Sequence, residues 1–243
     1  MPPALVLLHG FTQTRQSWRR TVQALEGRYR AIAPDLPGHG QSSERPASFA
    51  AATAYIRALE PDILAGYSMG GRIALHAAFT LKPRRLVLVG ASPGIQDANE
   101  RAQRKRSDDA LAARIEQIGI EAFATEWGAQ PLFEGQPERV RAAAYADRLR
   151  NTPHGLANAL RGLGTGVMEP LWDRLEELDL PVTLIVGERD EKFRAIAERM
   201  RERLPQAELT IVPAAGHAAQ LERPELVAAA VYQSGSPSSS ASA

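Results

Sequence analysis

Asp62-Ile63-Leu64-Ala65-Gly66-Tyr67-Ser68-Met69-Gly70-Gly71-Arg72-Ile73-Ala74-Leu75-His76-Ala77-Ala78 is an apolar run, a Gly-x-Ser-x-Gly turn and an amphipathic run in immediate succession. Strand, sharp turn and helix around a serine form the nucleophile-elbow pattern. The turn leaves no room for a Cβ on either side of the serine, so glycines flank it. The Ser68 hydroxyl is then held at the carboxyl end of the strand, above the first amides of the helix. Such a serine needs a base, an acid to orient that base, and donors for a developing oxyanion.

Outward from this stretch, short Leu- and Val-rich runs alternate with longer amphipathic ones. Leu5 to Leu8, Tyr29 to Ala33, Asp62 to Tyr67, Arg85 to Val89, Val182 to Val186 and Glu208 to Val212 read as strands. Continuous apolar runs of this length suit a parallel sheet covered on both faces. Ser17 to Leu25, Ser48 to Leu59, Gly71 to Phe79, Phe193 to Leu204 and Pro224 to Tyr232 read as its crossover and flanking helices. The expected fold class is α/β, with a mostly parallel sheet of six to seven strands. The alternation breaks between Gly94 and about Leu180, where Arg, Ala, Glu and Gln recur at helical spacing. That is too long for a plain loop. It predicts an inserted helical cap, 94–180, on a core made of 1–93 and 181–233. The Ser-rich stretch 234–243 is low-complexity and is expected to be a disordered tail.

Composition narrows the function classes. A net charge of +1 gives no global case for nucleic acid or an acidic membrane surface. The absence of cysteine excludes disulfides and thiolate metal sites. No stretch approaches the roughly 20 apolar residues of a membrane span, and the N-terminus lacks the basic region of a signal peptide. The expectation is a soluble cytoplasmic protein; oligomeric state is not legible.

Asp190 follows the fifth predicted strand and His217 the sixth. Ser, Asp, His is the chain order of the α/β-hydrolases, and the carboxyl ends of parallel strands are where such sheets bind ligands. His217 then accepts the Ser68 proton, and Asp190 fixes its tautomer. Separately, Asp190 reads as an N-cap for the helix at Phe193, and His217 as a surface-loop histidine. Neither alternative explains the joint arrangement. Glu188 is a competing acid, two residues earlier than the expected position. His9-Gly10-Phe11 follows the first strand, where this fold draws one oxyanion amide, here from Phe11; Met69 supplies the other. The His9 side chain reads as architectural, as do Asp35 and His39 in the loop Asp35-Leu36-Pro37-Gly38-His39-Gly40-Gln41-Ser42.

Finer motifs go further. They are Arg72, four residues after Ser68; Ser92-Pro93-Gly94-Ile95; Glu100-Arg101-Ala102-Gln103-Arg104-Lys105-Arg106-Ser107-Asp108; and Trp127 with Gln130-Pro131-Leu132-Phe133. Leu149-Arg150-Asn151, Gly164-Thr165-Gly166 and Gly187-Glu188-Arg189-Asp190-Glu191-Lys192-Phe193 complete the set. Together they resemble the 2-succinyl-6-hydroxy-2,4-cyclohexadiene-1-carboxylate synthase family of menaquinone biosynthesis, from His9 to about Pro224. The resemblance implies a carbon-oxygen lyase that expels pyruvate from a substrate with three carboxylates, with Ser68 as general base and no metal or organic cofactor. It implies Arg72, Arg104 and Arg150 as carboxylate-binding cations, a role that suits the bidentate guanidinium, with Tyr67 and Trp127 lining the pocket. Arg101 and Arg106 are weaker candidates, and the whole basic run also reads as a solvated helix face. Trp127 also reads as cap core. Two departures stand out. The chain begins almost at the first strand, so the antiparallel strands that often open this fold are expected to be absent or reduced. Glu169 stands where the resemblance leads one to expect glutamine.

Two other functions fit parts of this pattern. An ester or C–C serine hydrolase explains the triad but not the arginines. A non-catalytic binder of small acids explains the arginines but not the triad.

Overall fold

A computed structural model of the chain describes residues 1–233; the tail expected over 234–243 lies outside them. The described residues form one six-stranded, all-parallel sheet in the order β2-β1-β3-β4-β5-β6. The strands are β1 (Ala4–Leu8), β2 (Arg30–Ile32), β3 (Ile63–Tyr67), β4 (Arg85–Val89), β5 (Val182–Gly187) and β6 (Ala207–Val212). Around them lie helices α1 (Arg19–Ala24), α2 (Phe49–Arg57), α3 (Met69–Leu81), α4 (Ala98–Gly128), α5 (Glu138–Arg148), α6 (Pro153–Leu163), α7 (Glu191–Arg201), α8 (Ala219–Glu222) and α9 (Pro224–Gln233). No helix among the described residues is long and apolar enough to cross a membrane.

The inner strands β1, β3, β4 and β5 read as largely apolar runs because both of their faces are buried, whereas the edge strands β2 and β6 are partly exposed. Leu5 and Leu7 pack with Trp18, Val227 and Val231 on one side, while Val6 and Leu8 pack with Ile56, Ile73 and Met200 on the other. Each fully buried side chain of this size contributes about 1.5–3 kcal/mol. The sequence runs Ser17 to Leu25 together as one helix; the structure begins it with a short 3-10 turn, Arg15–Trp18, before α1. Thr14 caps that turn by accepting from the Gln16 amide.

Strand order reverses between β1 and β3, so their carboxyl ends open a crevice. Leu8 pairs with Gly66, and Tyr67 with Val89, which brings those ends level. The turn after β3 is as tight as the motif demands. Ser68 has φ 50° and ψ −109°, and its amide donates to the Val89 carbonyl at 2.8 Å. A Cβ on Gly66 would meet the Gly70 carbonyl oxygen at 2.3 Å, and one on Gly70 the Leu8 oxygen at 2.3 Å. Holding a non-glycine residue in such a conformation costs on the order of 1–3 kcal/mol, which the surrounding packing offsets.

Between β4 and β5 the chain forms α4, α5 and α6 with short 3-10 turns. Ala112, Ile115, Phe123, Leu156, Ala157 and Leu160 form a separate small core, against which Phe11 packs from the sheet side. Gly119 interrupts α4 with φ 78°. Asn151 ties this segment down: its Nδ2 donates to the Thr12 carbonyl at 2.9 Å, and its Oδ1 accepts from the Gly40 amide at 3.0 Å. On the opposite flank, buried Glu222 accepts from Arg189 at 2.8 Å, the Gly216 amide at 2.9 Å and Gln136 at 3.4 Å.

Gly70→Ala is expected to destabilise the fold by at least the roughly 1–3 kcal/mol typical of overpacking, because the opposing atom is backbone. A lower urea midpoint at unchanged m-value checks it.

Candidate active site

His217 lies between Ser68 and Asp190. Its Nε2 is 3.2 Å from the Ser68 Oγ, and its Nδ1 is 2.6 Å from the Asp190 Oδ2. A carboxylate at Nδ1 requires a proton there, which leaves Nε2 as the acceptor facing the hydroxyl. Phe193 and Tyr67 hold the imidazole from its two sides, with ring centroids 4.4 and 5.3 Å away. Both readings of Asp190 hold at once. Oδ2 takes the histidine, while Oδ1 accepts from the Phe193 amide at 3.4 Å as the cap of α7. Glu188 is spoken for elsewhere, accepting from the Ala214 amide at 2.8 Å.

His9 and His39 are architectural. His9 donates from Nδ1 to the Gly10 carbonyl and accepts at Nε2 from the Leu36 amide, both at 2.9 Å. His39 donates to the Pro37 carbonyl and accepts from the Thr12 amide. Burial holds both rings neutral, with pKa values down to about 4 for His9 and about 3 for His39. Asp35 accepts from the Arg15 and Gln41 amides and so closes the loop after β2.

Above Ser68 is a cavity of about 330 Å³. Phe11, Met69, Arg72, Arg104, Trp127 and His217 all line it. Arg72 is half-buried and donates to the Leu163 carbonyl at 3.0 Å. Burial first, then the neighbouring Arg104, lowers its pKa to about 10. Arg104 donates its Nε to Asp108 at 2.7 Å. Trp127 packs on Phe11 and Phe123, with centroids at 5.2 and 5.7 Å. Its buried indole N–H has no partner among the described residues. It is thus both part of the helical segment's core and a wall with a free donor. Lys192, Gln130 and Thr165 also line the cavity; the sequence places them in the quoted motifs but gives them no role.

Two expected wall residues are elsewhere. Arg150 is 60% exposed, 3.8 Å from Asp147, on a separate surface groove with Gln16 and Arg19. The reason is helical phase. The buried stripe of α5 is Val140, Ala144, Asp147 and Arg148, and Arg150 comes after the helix has ended. Tyr67 is buried against the position of Gly10 and beside His217, so it backs the histidine rather than the cavity. Arg101 is also occupied, donating to the Ile95 and Gln96 carbonyls. Glu169 is exposed and outside the cavity wall.

Arg148 is a buried cation the sequence reading missed, and it lies behind the cavity wall, not among the residues that line it. It is 5% exposed, its guanidinium is 5.4 Å from the Phe133 ring centroid, and it abuts Gly128, within the stretch that carries Trp127 and Gln130. Its Nε has no hydrogen-bond partner among the described residues. Burial lowers its pKa. A buried cation without a paired anion is costly, and a ligand carboxylate would relieve that cost. The signal was available: positions 140, 144, 147 and 148 share one helix face.

Comparison with known proteins places the chain in a family. The pattern described as "Alpha/beta hydrolase family" matches residues 5–230. The chain belongs to the α/β-hydrolase family. Among its relatives is a protein of Bacillus subtilis (strain 168), provisionally named 2-succinyl-6-hydroxy-2,4-cyclohexadiene-1-carboxylate synthase, 42% identical over 92% of this chain and 86% of that one. A synthase of the same name from Klebsiella pneumoniae (strain ATCC 700721 / MGH 78578) is 34% identical over 95% and 93%. The solved structure of MenH from S. aureus superposes with a TM-score of 0.89 at 34% identity, covering 94% of this chain and 91% of that one. These α/β-hydrolase relatives bear out the resemblance read from the motifs.

The buried histidines set an acid limit on stability. An unfolded histidine titrates near 6.5, but these rings do not until about 4 and 3. Between those values the unfolded chain binds the extra protons. Their contribution is therefore fully present above pH 6.5 and is lost as the pH falls through that window. The expected slope is about 1.4 kcal/mol per pH unit for each ring. Denaturant titrations at pH 7, 6 and 5 check it, with His39→Gln giving the shallower slope.

Proposed function

We propose that the protein eliminates pyruvate from 2-succinyl-5-enolpyruvyl-6-hydroxy-3-cyclohexene-1-carboxylate to give 2-succinyl-6-hydroxy-2,4-cyclohexadiene-1-carboxylate. One observation carries this reading: the Ser68–His217–Asp190 chain lies under a cavity walled by Arg72 and Arg104. A neutral ester needs no such cations, whereas a substrate with three carboxylates does. The relatives bearing the synthase name support it.

In this reading Ser68 acts as a base rather than an acyl nucleophile. Its hydroxyl passes its proton to His217 Nε2 as it removes the ring proton α to the succinyl ketone. Asp190 stabilises the imidazolium. The dienolate oxygen rests against the Phe11 and Met69 amides. Electron flow through the ring alkene breaks the C–O bond to the enolpyruvyl group, and the leaving enolpyruvate takes up a proton and ketonises. No electrons enter or leave, so the step requires no redox cofactor. Arg72, Arg104 and the buried Arg148 bind substrate carboxylates, Trp127 offers its N–H, and the helical segment 94–180 serves as the cap. The reaction takes place on a soluble substrate in the cytoplasm.

Pyruvate release, followed by a coupled dehydrogenase, tests the assignment. Ser68→Ala is expected to lower kcat by at least about a thousandfold, the scale seen when a member of such a triad is removed. Accumulation of an acyl-serine, or hydrolysis of a small aryl ester in place of pyruvate release, would favour a serine hydrolase instead. Unchanged activity in Ser68→Ala would point to a binder.

The arginine assignments separate cleanly. Arg148→Ala is expected to raise KM about 10- to 100-fold, the range for a charged hydrogen bond. Arg150→Ala is expected to leave KM within about twofold, as for exposed ion pairs. Steady-state kinetics on the two variants check both.

A further inference from the structure

Asp108 is the anomaly of the cavity. It is the one carboxylate among the lining residues, in a wall that also carries Arg72, Arg104 and Lys192. It is 4% exposed. A negative charge there repels any anionic ligand, so its presence requires a compensating role.

Its contacts show what it holds. Oδ1 accepts from the Arg104 Nε at 2.7 Å, one helical turn earlier on α4. Oδ2 accepts from the Gly166 amide at 3.3 Å. The turn Gly164-Thr165-Gly166 is thereby pinned to α4 at one carboxylate, and Thr165 lines the cavity. The pinning is close. A Cβ on Gly166 would lie 2.3 Å from the Lys105 amide nitrogen, and one on Gly164 2.6 Å from the Asp108 Oδ2.

The choice of nitrogen matters. A guanidinium held by its Nε keeps its two terminal nitrogens together as a fork, the edge that binds a carboxylate through two parallel bonds. No hydrogen bond from either terminal nitrogen of Arg104 is made among the described residues. After burial, Arg104 is what lowers the Arg72 pKa, while Asp108 raises it. Asp108 therefore permits two arginines to stand in one wall without a ligand between them.

We infer that Asp108 is a positioning residue for substrate, one that fixes the Arg104 guanidinium with its terminal fork turned into the cavity to receive a substrate carboxylate. This rests on the elimination reading for its substrate, but not for its anion chemistry.

A double-mutant cycle tests it, with thermal unfolding to confirm that each variant folds. Asp108→Ala is expected to raise KM for the enolpyruvyl substrate about tenfold, the lower end of a charged hydrogen bond, with kcat within about threefold. Asp108→Asn retains an acceptor for Nε and is expected to recover most of that loss. In an Arg104→Ala background, Asp108→Ala is expected to change KM by no more than about twofold, because coupled residues are non-additive. A full tenfold effect in that background, or a fall in kcat with KM unchanged, would overturn the inference and leave Asp108 as support for the glycine turn alone. Calorimetric binding of propane-1,2,3-tricarboxylate to the same four proteins is expected to follow the same cycle. A wild-type protein that binds this probe but releases no pyruvate would sink the elimination reading and leave the Asp108 role standing. Failure of wild type to bind the probe would overturn the role itself.

Discussion

The first turn of α3 lies against the end of β1 with nothing but hydrogen atoms between their backbones. Gly70 occupies the gap in front of the Leu8 and His9 carbonyls, and Gly66 the gap below Gly70. This contact forces Ser68 into its positive φ and sets the height of its hydroxyl above the sheet. It also brings the β1 and β3 loops within reach of each other, so Phe11 and Met69 line the same cavity. His217 and Asp190 come from strands on the far side of β4, yet they meet Ser68 because the parallel register aligns every carboxyl end at one level.

The sheet was legible in the sequence because its four inner strands, β1, β3, β4 and β5, are buried on both faces and read as nearly continuous apolar runs. Each boundary falls within a residue or two of the sequence reading. Ser68, Asp190 and His217 were legible for a related reason: they follow β3, β5 and β6, with Gly66 before the serine, Gly187 ending β5 and Gly216 before the histidine. The arginines were harder. Arg72 and Arg104 lie on helices that begin or run beside the elbow, and both line the cavity. Arg150 is implied by a motif that carries no sign of where α5 ends. Asp147 and Arg148 close the inward stripe of that helix, and two further residues carry the chain round to the outside. The burial of Tyr67 was invisible for a different reason. Its position beneath the histidine depends on how closely Gly10 approaches its ring, a tertiary contact with no local signature.

The cations in and behind the cavity wall differ in depth. Arg148 is buried beside Phe133, Arg72 is half-buried, and Arg104 is 45% exposed. Desolvation raises the cost of each charge and the gain from neutralising it. The fold hosts many reactions on one triad, and the cations in the wall above Ser68 are what this chain adds to it.

Asn151 gives the molecule an asymmetry. Through Thr12, Gly40 and the Arg148 carbonyl it stitches the junction of α5 and α6 to the loops behind β1 and β2. Glu222 does the same for the stretch around Gln136. Against the sheet side, α4, broken at Gly119, is held instead by apolar contact, with Phe123 and Trp127 on Phe11. The flanks of the helical segment are sewn by hydrogen bonds, while its middle is pressed in place.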